Sequence, residues 1–520
     1  MSSILNRIRS IPSSRLVRSS LVLRMTYSSK PTLAAPELFV QQAYINGEFV
    51  SAKSGKTFEV TDPASLEKIG VAPELELEEL RGAIDAASAA YKELKNTTGR
   101  QRARWLRKWY ELMMEHQEDL AKLITWENGK ILEDAQKEVA YSAGFFEWFS
   151  EEAPRTYGDT IPSAVPGNRM FTLKQPIGVA GIITPWNFPA GMITRKVGAA
   201  LAAGCSVVVK PAAETPYSAL ALAVLAEKAG IPKGVFNVVT AHENTKIFGK
   251  ELCENKIIKK VSFTGSTPVG KILMNQSSST LKKLSFELGG NASYIVFEDG
   301  DVNAAVEAAL PAKYRGNGQT CVCPNRFFVH ESVYDEFSTK LAARVAEHYK
   351  AGHGFDTAST LGPLINSAAV DKVEAHVKDA VSKNATVLTG GSRLPELGPN
   401  FYAATVLGNV TPEMAINREE TFGPLIPIMK FTSEADVIER ANSVDVGLAS
   451  YFFSKDVARI YRVAEALEFG MIGVNTAMIS EPALPFGGIK ESGFGLEGSK
   501  YGIEEYLVKK TVVVGGVHQI

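Results

Sequence analysis

From residue 178 onward the chain alternates two kinds of apolar pattern. Residues 178–184 are a continuous apolar run of strand length, and residues 192–203 are a small-residue stretch suited to a packed helix. Residues 206–210 read as the next strand. A helix follows, with Thr215 as N-cap, Pro216 in its first turn and Gly230 as its stop. Residues 235–240 and 260–264 supply two more strands, and residues 283–286 another. Strands that are apolar throughout, not at every second position, are buried on both faces. The pattern therefore predicts an α/β fold with a parallel sheet covered by helices, whose ligands lie beyond the carboxyl ends of the strands.

After Glu287 the alternation restarts: strand 293–297, helix 301–310, strand 326–330 and a long helix over 331–350. The restart predicts a second α/β domain. Residues 154–174 and 506–517 fit neither unit. The latter carries Thr511-Val512-Val513-Val514, a β-prone run whose exposed backbone needs a pairing partner, expected to be another subunit.

Composition narrows the function classes. A chain of 520 residues exceeds one core. A formal net charge of -1 leaves no basic footprint for nucleic acid and no attraction to a membrane surface. The longest uncharged stretch, residues 176–194, contains Pro176, Pro185 and Pro189 and is no membrane helix. Residues 1–30 carry Arg7, Arg9, Arg15, Arg18, Arg24 and Lys30 with no acid. Ile4, Leu5, Ile8 and Ile11 share one helical face there, the composition of a mitochondrial transit peptide. A start at Met25 would instead leave a cytosolic form. The four cysteines make no disulfide framework, and no zinc-ligand spacing occurs, so no metal is expected.

Several loops carry candidate chemistry. Cys321 ends Arg315-Gly316-Asn317-Gly318-Gln319-Thr320, a polar, glycine-rich segment where a thiol can be exposed and partly ionised. A lone cysteine is more often an inert buried residue, and this loop does not decide by itself. In Thr184-Pro185-Trp186-Asn187-Phe188-Pro189 two prolines fix a turn that can aim the Asn187 amide at a developing oxyanion. Glu287 precedes Leu288-Gly289-Gly290, a carboxylate among apolar residues suited to activating water. Gly265-Ser266-Thr267-Pro268-Val269-Gly270 follows a strand and opens a helix, where backbone N–H groups can hold a pyrophosphate. Lys210 ends a buried strand on the crevice side, and Glu420 lies in a loop with Phe422 suited to binding ribose hydroxyls.

These motifs, in this order, resemble the aldehyde dehydrogenase superfamily from about residue 40 on. The resemblance implies a Rossmann-type cofactor domain (residues 31–153 and 175–288), an α/β catalytic domain (289–490) and small β segments for bridging and oligomerisation (154–174 and 491–520). It also implies that Cys321 attacks the aldehyde, that Asn187 and the Cys321 N–H hold the oxyanion, and that Glu287 activates the hydrolytic water. NAD or NADP accepts the hydride, bound by Trp186, Lys210, Ala213, Gly265, Ser266, Gly270, Glu420 and Phe422. Phe188 and Phe486 wall the aldehyde tunnel. A homodimer or homotetramer is implied as well.

Arg195, eight residues after Asn187, and Arg315, six before Cys321, suit a substrate with its own carboxylate, which arginine grips bidentately. With Ser480 they resemble the members that oxidise succinate semialdehyde in γ-aminobutyrate degradation; glutarate semialdehyde is the alternative, and a silent scaffold the least expected. NAD-preferring relatives carry a glutamate where this chain has Ala213, so NADP is expected to be accepted. Two thiols one residue apart, Cys321 and Cys323, also fit a strained disulfide that would act as a redox switch.

Overall fold

The computed structural model describes residues 30–517, so the expected transit peptide and Met25 lie outside the described residues. Two sheets dominate. The first has a parallel core in the order Phe236–Val238, Ser206–Lys210, Val179–Ile183, Ile258–Thr264, Lys283–Glu287. Antiparallel strands close both edges: Ala43–Ile45 and Glu48–Val50 on one side, Gly493–Phe494 on the other. Chain direction across the sheet reverses between Val179–Ile183 and Ile258–Thr264. That is a topological switch point, where the diverging loops leave a crevice. Ser206–Lys210 is wholly buried along its length, as its unbroken Val207-Val208-Val209 run requires.

Helices Gly191–Ala203 and Pro216–Lys228 pack on this sheet. Thr215 is the N-cap residue of the second, but its side chain makes no capping bond. The carboxylate of Glu127 does the capping, accepting from Tyr217 N at 2.7 Å and Ser218 N at 2.8 Å. A side chain 90 residues away in sequence thus replaces the expected local cap.

The second sheet orders Thr386–Thr389, Thr405–Gly408, Leu425–Phe431, Pro324–His330, Ala292–Val296, Ala449–Phe453, Met471–Val474 and is parallel except at its first pair. Only residues 288–291 separate Lys283–Glu287 from Ala292–Val296. The carboxyl edge of the first sheet therefore continues directly into the amino edge of the second, and the site forms between those two edges.

Leu507–Val514 pairs antiparallel with Arg169–Pro176 over its full length, and Thr160–Ile161 completes a three-stranded sheet. This corrects the expectation that another subunit is the strand's first partner. A complementary strand was available in the same chain, leaving Leu507–Val514 as an edge. The segment expected over 491–520 thus divides, since Gly493–Phe494 belongs to the first large sheet.

Candidate active site

Cys321 follows helix Val302–Tyr314 by a tight turn, Arg315–Gly318, in which Gly316, Asn317 and Gly318 all have positive φ. Gly362 N donates to Asn317 Oδ1 at 2.8 Å, and the Asn317 amide in turn donates to the Pro363 carbonyl. A β-carbon on Gly318 would meet Gly423 O at 2.2 Å, and one on Gly290 would meet Cys321 O at 2.7 Å. Glycine at these two positions lets the thiol loop lie against the Glu420 loop and against the segment just after Glu287.

Asn187 sits beyond strand Val179–Ile183 and is buried. Its Nδ2 donates to Gln319 O at 3.0 Å while its Oδ1 accepts from Phe188 N at 3.1 Å. The bond to Gln319 uses one amide hydrogen and leaves the second for an incoming oxyanion.

A cavity of about 240 Å³ opens on Cys321 and is bordered by Arg195, Arg315, Phe188, Phe486 and Ser480, all expected from sequence. Helix Leu132–Glu152 adds a wall that sequence reasoning missed: Asp134, Lys137, Glu138 and Tyr141 border the same space. They share a polar face of this helix, a signal that equally describes a solvated face. Lys130 borders the cavity as well and ties this wall to the Asn187 loop. Its Nζ donates to Glu138 Oε2 at 2.5 Å and to Asn187 O at 2.7 Å, and Glu138 Oε1 accepts from Ala190 N at 3.1 Å.

Arg195 is 1% exposed. Its Nη2 donates to Glu287 Oε2 at 2.7 Å, and its Nε faces a carboxylate oxygen of Glu497, whose other oxygen pairs with Lys196. Burial works to strip the charge from Arg195, but Glu497 and Glu287 hold it above its ordinary range. Burial likewise pushes Glu497 upward, and Arg195 and Lys196 overcome it to keep that carboxyl low. Glu497 was not anticipated; a single carboxylate in a run of glycines gives no sign of a buried partner.

Cys321 departs from its expected state. Burial first, and the Glu287 carboxylate beside it second, hold the thiol well above its ordinary range, so it is protonated here and not partly ionised. Cys323 faces away into the core, its Sγ donating to Lys313 O at 3.6 Å. Both cysteines are free thiols.

Of the residues expected to hold a dinucleotide, Lys210 ends strand Ser206–Lys210 and Gly265 and Ser266 follow strand Ile258–Thr264, at carboxyl ends of the first sheet. Lys210 is buried at the end of its strand, and that burial pulls its amine down to about 8. Ala213 and Glu214 border a cavity of about 340 Å³. Ser266 is the N-cap of helix Thr267–Ser277 and makes no side-chain bond to it, so the first-turn N–H groups remain available to an anion. Gly265 N donates to Glu287 O at 3.1 Å, and Gly270 leaves room for Leu288. Glu420 accepts from Gly290 N at 3.3 Å, and burial raises its carboxyl to about 7. Phe422 holds a φ of 55° and meets Trp186 edge-on at 5.7 Å. A free helix start and a buried amine at the carboxyl ends of two strands of one sheet fit the pyrophosphate and a ribose of NAD or NADP. Among the described residues no cluster of His, Cys, Asp and Glu could hold a metal ion.

A thiol set between two sheets, on the side where the first can hold a dinucleotide, is the layout of a cysteine-dependent dehydrogenase. The sequence matches the Aldehyde dehydrogenase family over residues 49–512, and the chain belongs to that family. It is 56% identical over 489 residues to the succinate-semialdehyde dehydrogenase [NADP(+)] of Saccharomyces cerevisiae, covering 94% of this chain and 98% of that one. It is 54% identical to the glutarate-semialdehyde dehydrogenase of Pseudomonas putida, over 92% of this chain and 98% of the relative. Among solved structures, the succinate-semialdehyde dehydrogenase of Burkholderia pseudomallei superposes with a TM-score of 0.92 at 53% identity, covering 93% of this chain and 100% of that one.

Proposed function

We propose that the protein oxidises succinate semialdehyde to succinate with NADP or NAD. The observation that carries this reading is the cavity that brings Arg195, Arg315 and Ser480 to the Cys321 thiol, two cations and a hydroxyl for a short substrate with a carboxylate at its far end. The names of the yeast and Burkholderia relatives support it. The Pseudomonas relative favours glutarate semialdehyde as the second reading. A silent scaffold has no use for a thiol on a cavity with a buried carboxylate beside it and a buried amide bonded to its own loop.

In this reading Arg195, Arg315 and Ser480 hold the substrate carboxylate, and Phe188 and Phe486 confine its carbon chain. Cys321 releases its thiol proton to solvent through the cavity and attacks the aldehyde carbon. Asn187 Nδ2 and the Cys321 N–H stabilise the resulting oxyanion. Lys210, Ser266 and Glu420 would hold the nicotinamide dinucleotide, with Trp186, Ala213, Gly265, Gly270 and Phe422 shaping its crevice. When bound, it supplies the hydride acceptor that turns the thiohemiacetal on Cys321 into a thioester. Glu287 then takes a proton from the water that hydrolyses that thioester. The absence of a carboxylate at Ala213 removes a repulsion against the 2′-phosphate of NADP.

A disulfide between Cys321 and Cys323 belongs to the same reading and would block the nucleophile. It requires Cys323 to leave the Lys313 carbonyl. Peroxide treatment that consumes both thiols and is reversed by dithiothreitol supports it, whereas oxidation of Cys321 alone overturns it. The edge of Leu507–Val514 is the proposed joint of a homo-oligomer, and residues 1–30 the proposed address to the mitochondrial matrix.

The deciding experiment follows reduced-cofactor formation from succinate semialdehyde, glutarate semialdehyde and butanal, with NADP and with NAD. A kcat/KM for succinate semialdehyde well above the other two is expected. Equal efficiency on butanal would overturn the carboxylate assignment.

A further inference from the structure

We propose that Arg195 holds Glu287 in reserve and that the carboxylate of the substrate releases it for hydrolysis. The inference rests on the reading above and adds a coupling between what the cavity binds and when its base becomes free.

Arg195 does two things in one place. It borders the cavity on which Cys321 opens, its Cζ 4.6 Å from the centroid of the Phe486 ring. It also donates to Glu287 Oε2 at 2.7 Å from inside the protein. Arg195 and Lys196 face Glu287 and Glu497, so the cluster is balanced, two cations against two carboxylates. A third carboxylate reaching Arg195 from the cavity upsets that balance where solvent screening is weak, and one of the resident carboxylates must yield.

The structure indicates which. Glu497 is gripped by both Arg195 and Lys196, one cation on each oxygen. Among the described residues Glu287 pairs with Arg195 alone; each carboxylate has one buried oxygen without a hydrogen bond, Glu287 Oε1 and Glu497 Oε2, so the number of cations is what separates them. Glu287 is the more weakly held and already borders the Cys321 thiol. Once released, it takes a proton from water as the water oxygen bonds to the acyl carbon. The C–S bond then breaks, the Cys321 thiolate leaves, and the proton on Glu287 passes to it as the carboxylic acid departs. Both side chains return to their starting states.

An uncharged aldehyde can acylate Cys321 but brings no carboxylate to free Glu287, so its thioester should persist. Rapid mixing of the full-length enzyme and NADP with butanal should give a burst of reduced cofactor followed by a slow steady state. Succinate semialdehyde should show no burst. In Arg195→Met the hold is gone: the butanal burst should shrink and its steady-state rate rise severalfold, while KM for succinate semialdehyde increases. A purely binding role for Arg195 would raise that KM and leave butanal turnover untouched, and this result would overturn the proposal. So would equal bursts with both aldehydes in the unaltered enzyme, a measurement that needs no variant. If Arg195→Met does not fold, Glu497→Gln serves: Arg195 is then left to Glu287 alone, and the butanal burst should become more pronounced. An unchanged burst there counts against the coupling. Equal kcat/KM for butanal and succinate semialdehyde in the unaltered enzyme would instead strike the substrate assignment, which keeps the two failures distinct.

Discussion

Asn187 Nδ2 donates to Gln319 O at 3.0 Å, joining the turn after a strand of the first sheet to the thiol loop leading into the second. One side chain 132 residues away from its partner therefore sets the position of Cys321 while keeping a hydrogen free for the reaction. Asn187→Ala should lower kcat by about a hundredfold or more, the range for removing one oxyanion donor. KM should change little, because the amide does not touch the distal carboxylate. Steady-state kinetics with succinate semialdehyde check this; an undiminished kcat would remove Asn187 from the mechanism.

The protonated thiol makes a pH prediction. Burial and Glu287 both favour the neutral form, so alkylation of Cys321 by iodoacetamide should be slow at pH 7 and still rising above pH 9. Glu287→Gln removes the neighbouring anion and lowers the thiol pKa. Each unit of that shift raises the thiolate fraction at neutral pH about tenfold, so labelling should quicken. Slower labelling in the variant would mean that Glu287 promotes ionisation instead.

Ala213 borders the 340 Å³ cavity, the proposed place of the cofactor's adenosine. Ala213→Glu would place an anion where a 2′-phosphate is expected. The ratio of kcat/KM for NADP over NAD should fall at least about tenfold, ~1.4 kcal/mol. An unchanged ratio would show that the adenosine lies elsewhere.

Lys130 and Glu138 form an ion pair with side-chain exposures of 3% and 0%. Glu138→Ala leaves the Lys130 charge buried and frees the Ala190 N–H. A loss of about 3–5 kcal/mol in urea unfolding is expected. Lys53→Ala, which breaks an exposed pair with Glu78, should leave the midpoint unchanged. Equal effects of the two substitutions would contradict the burial argument.

Legibility from sequence followed the range of the interactions. The runs at 178–184 and 206–210 became strands Val179–Ile183 and Ser206–Lys210, because burial on both faces leaves a local signature in the residues themselves. The helix after Thr215 was also placed correctly, yet its cap came from Glu127, which no local pattern could indicate. Tyr141 and Glu138 escaped for the same reason: a polar stripe looks alike whether water or a substrate cavity covers it.

The order of motifs along the chain was enough to place it in its family and to nominate the nucleophile, the oxyanion donor, the base and the cofactor residues. Each is a residue type held in a short loop at a strand end, and local backbone preferences decide that placement. The tertiary structure alone decided the charge states and the pairings. Cys321 is protonated because of what surrounds it, Arg195 is shared between Glu287 and Glu497, and Leu507–Val514 finds its first partner in its own chain. Ionisation depends on desolvation and on charges brought close by folding, and strand pairing depends on which edges meet. Both are properties of distance in space, which a linear sequence does not carry.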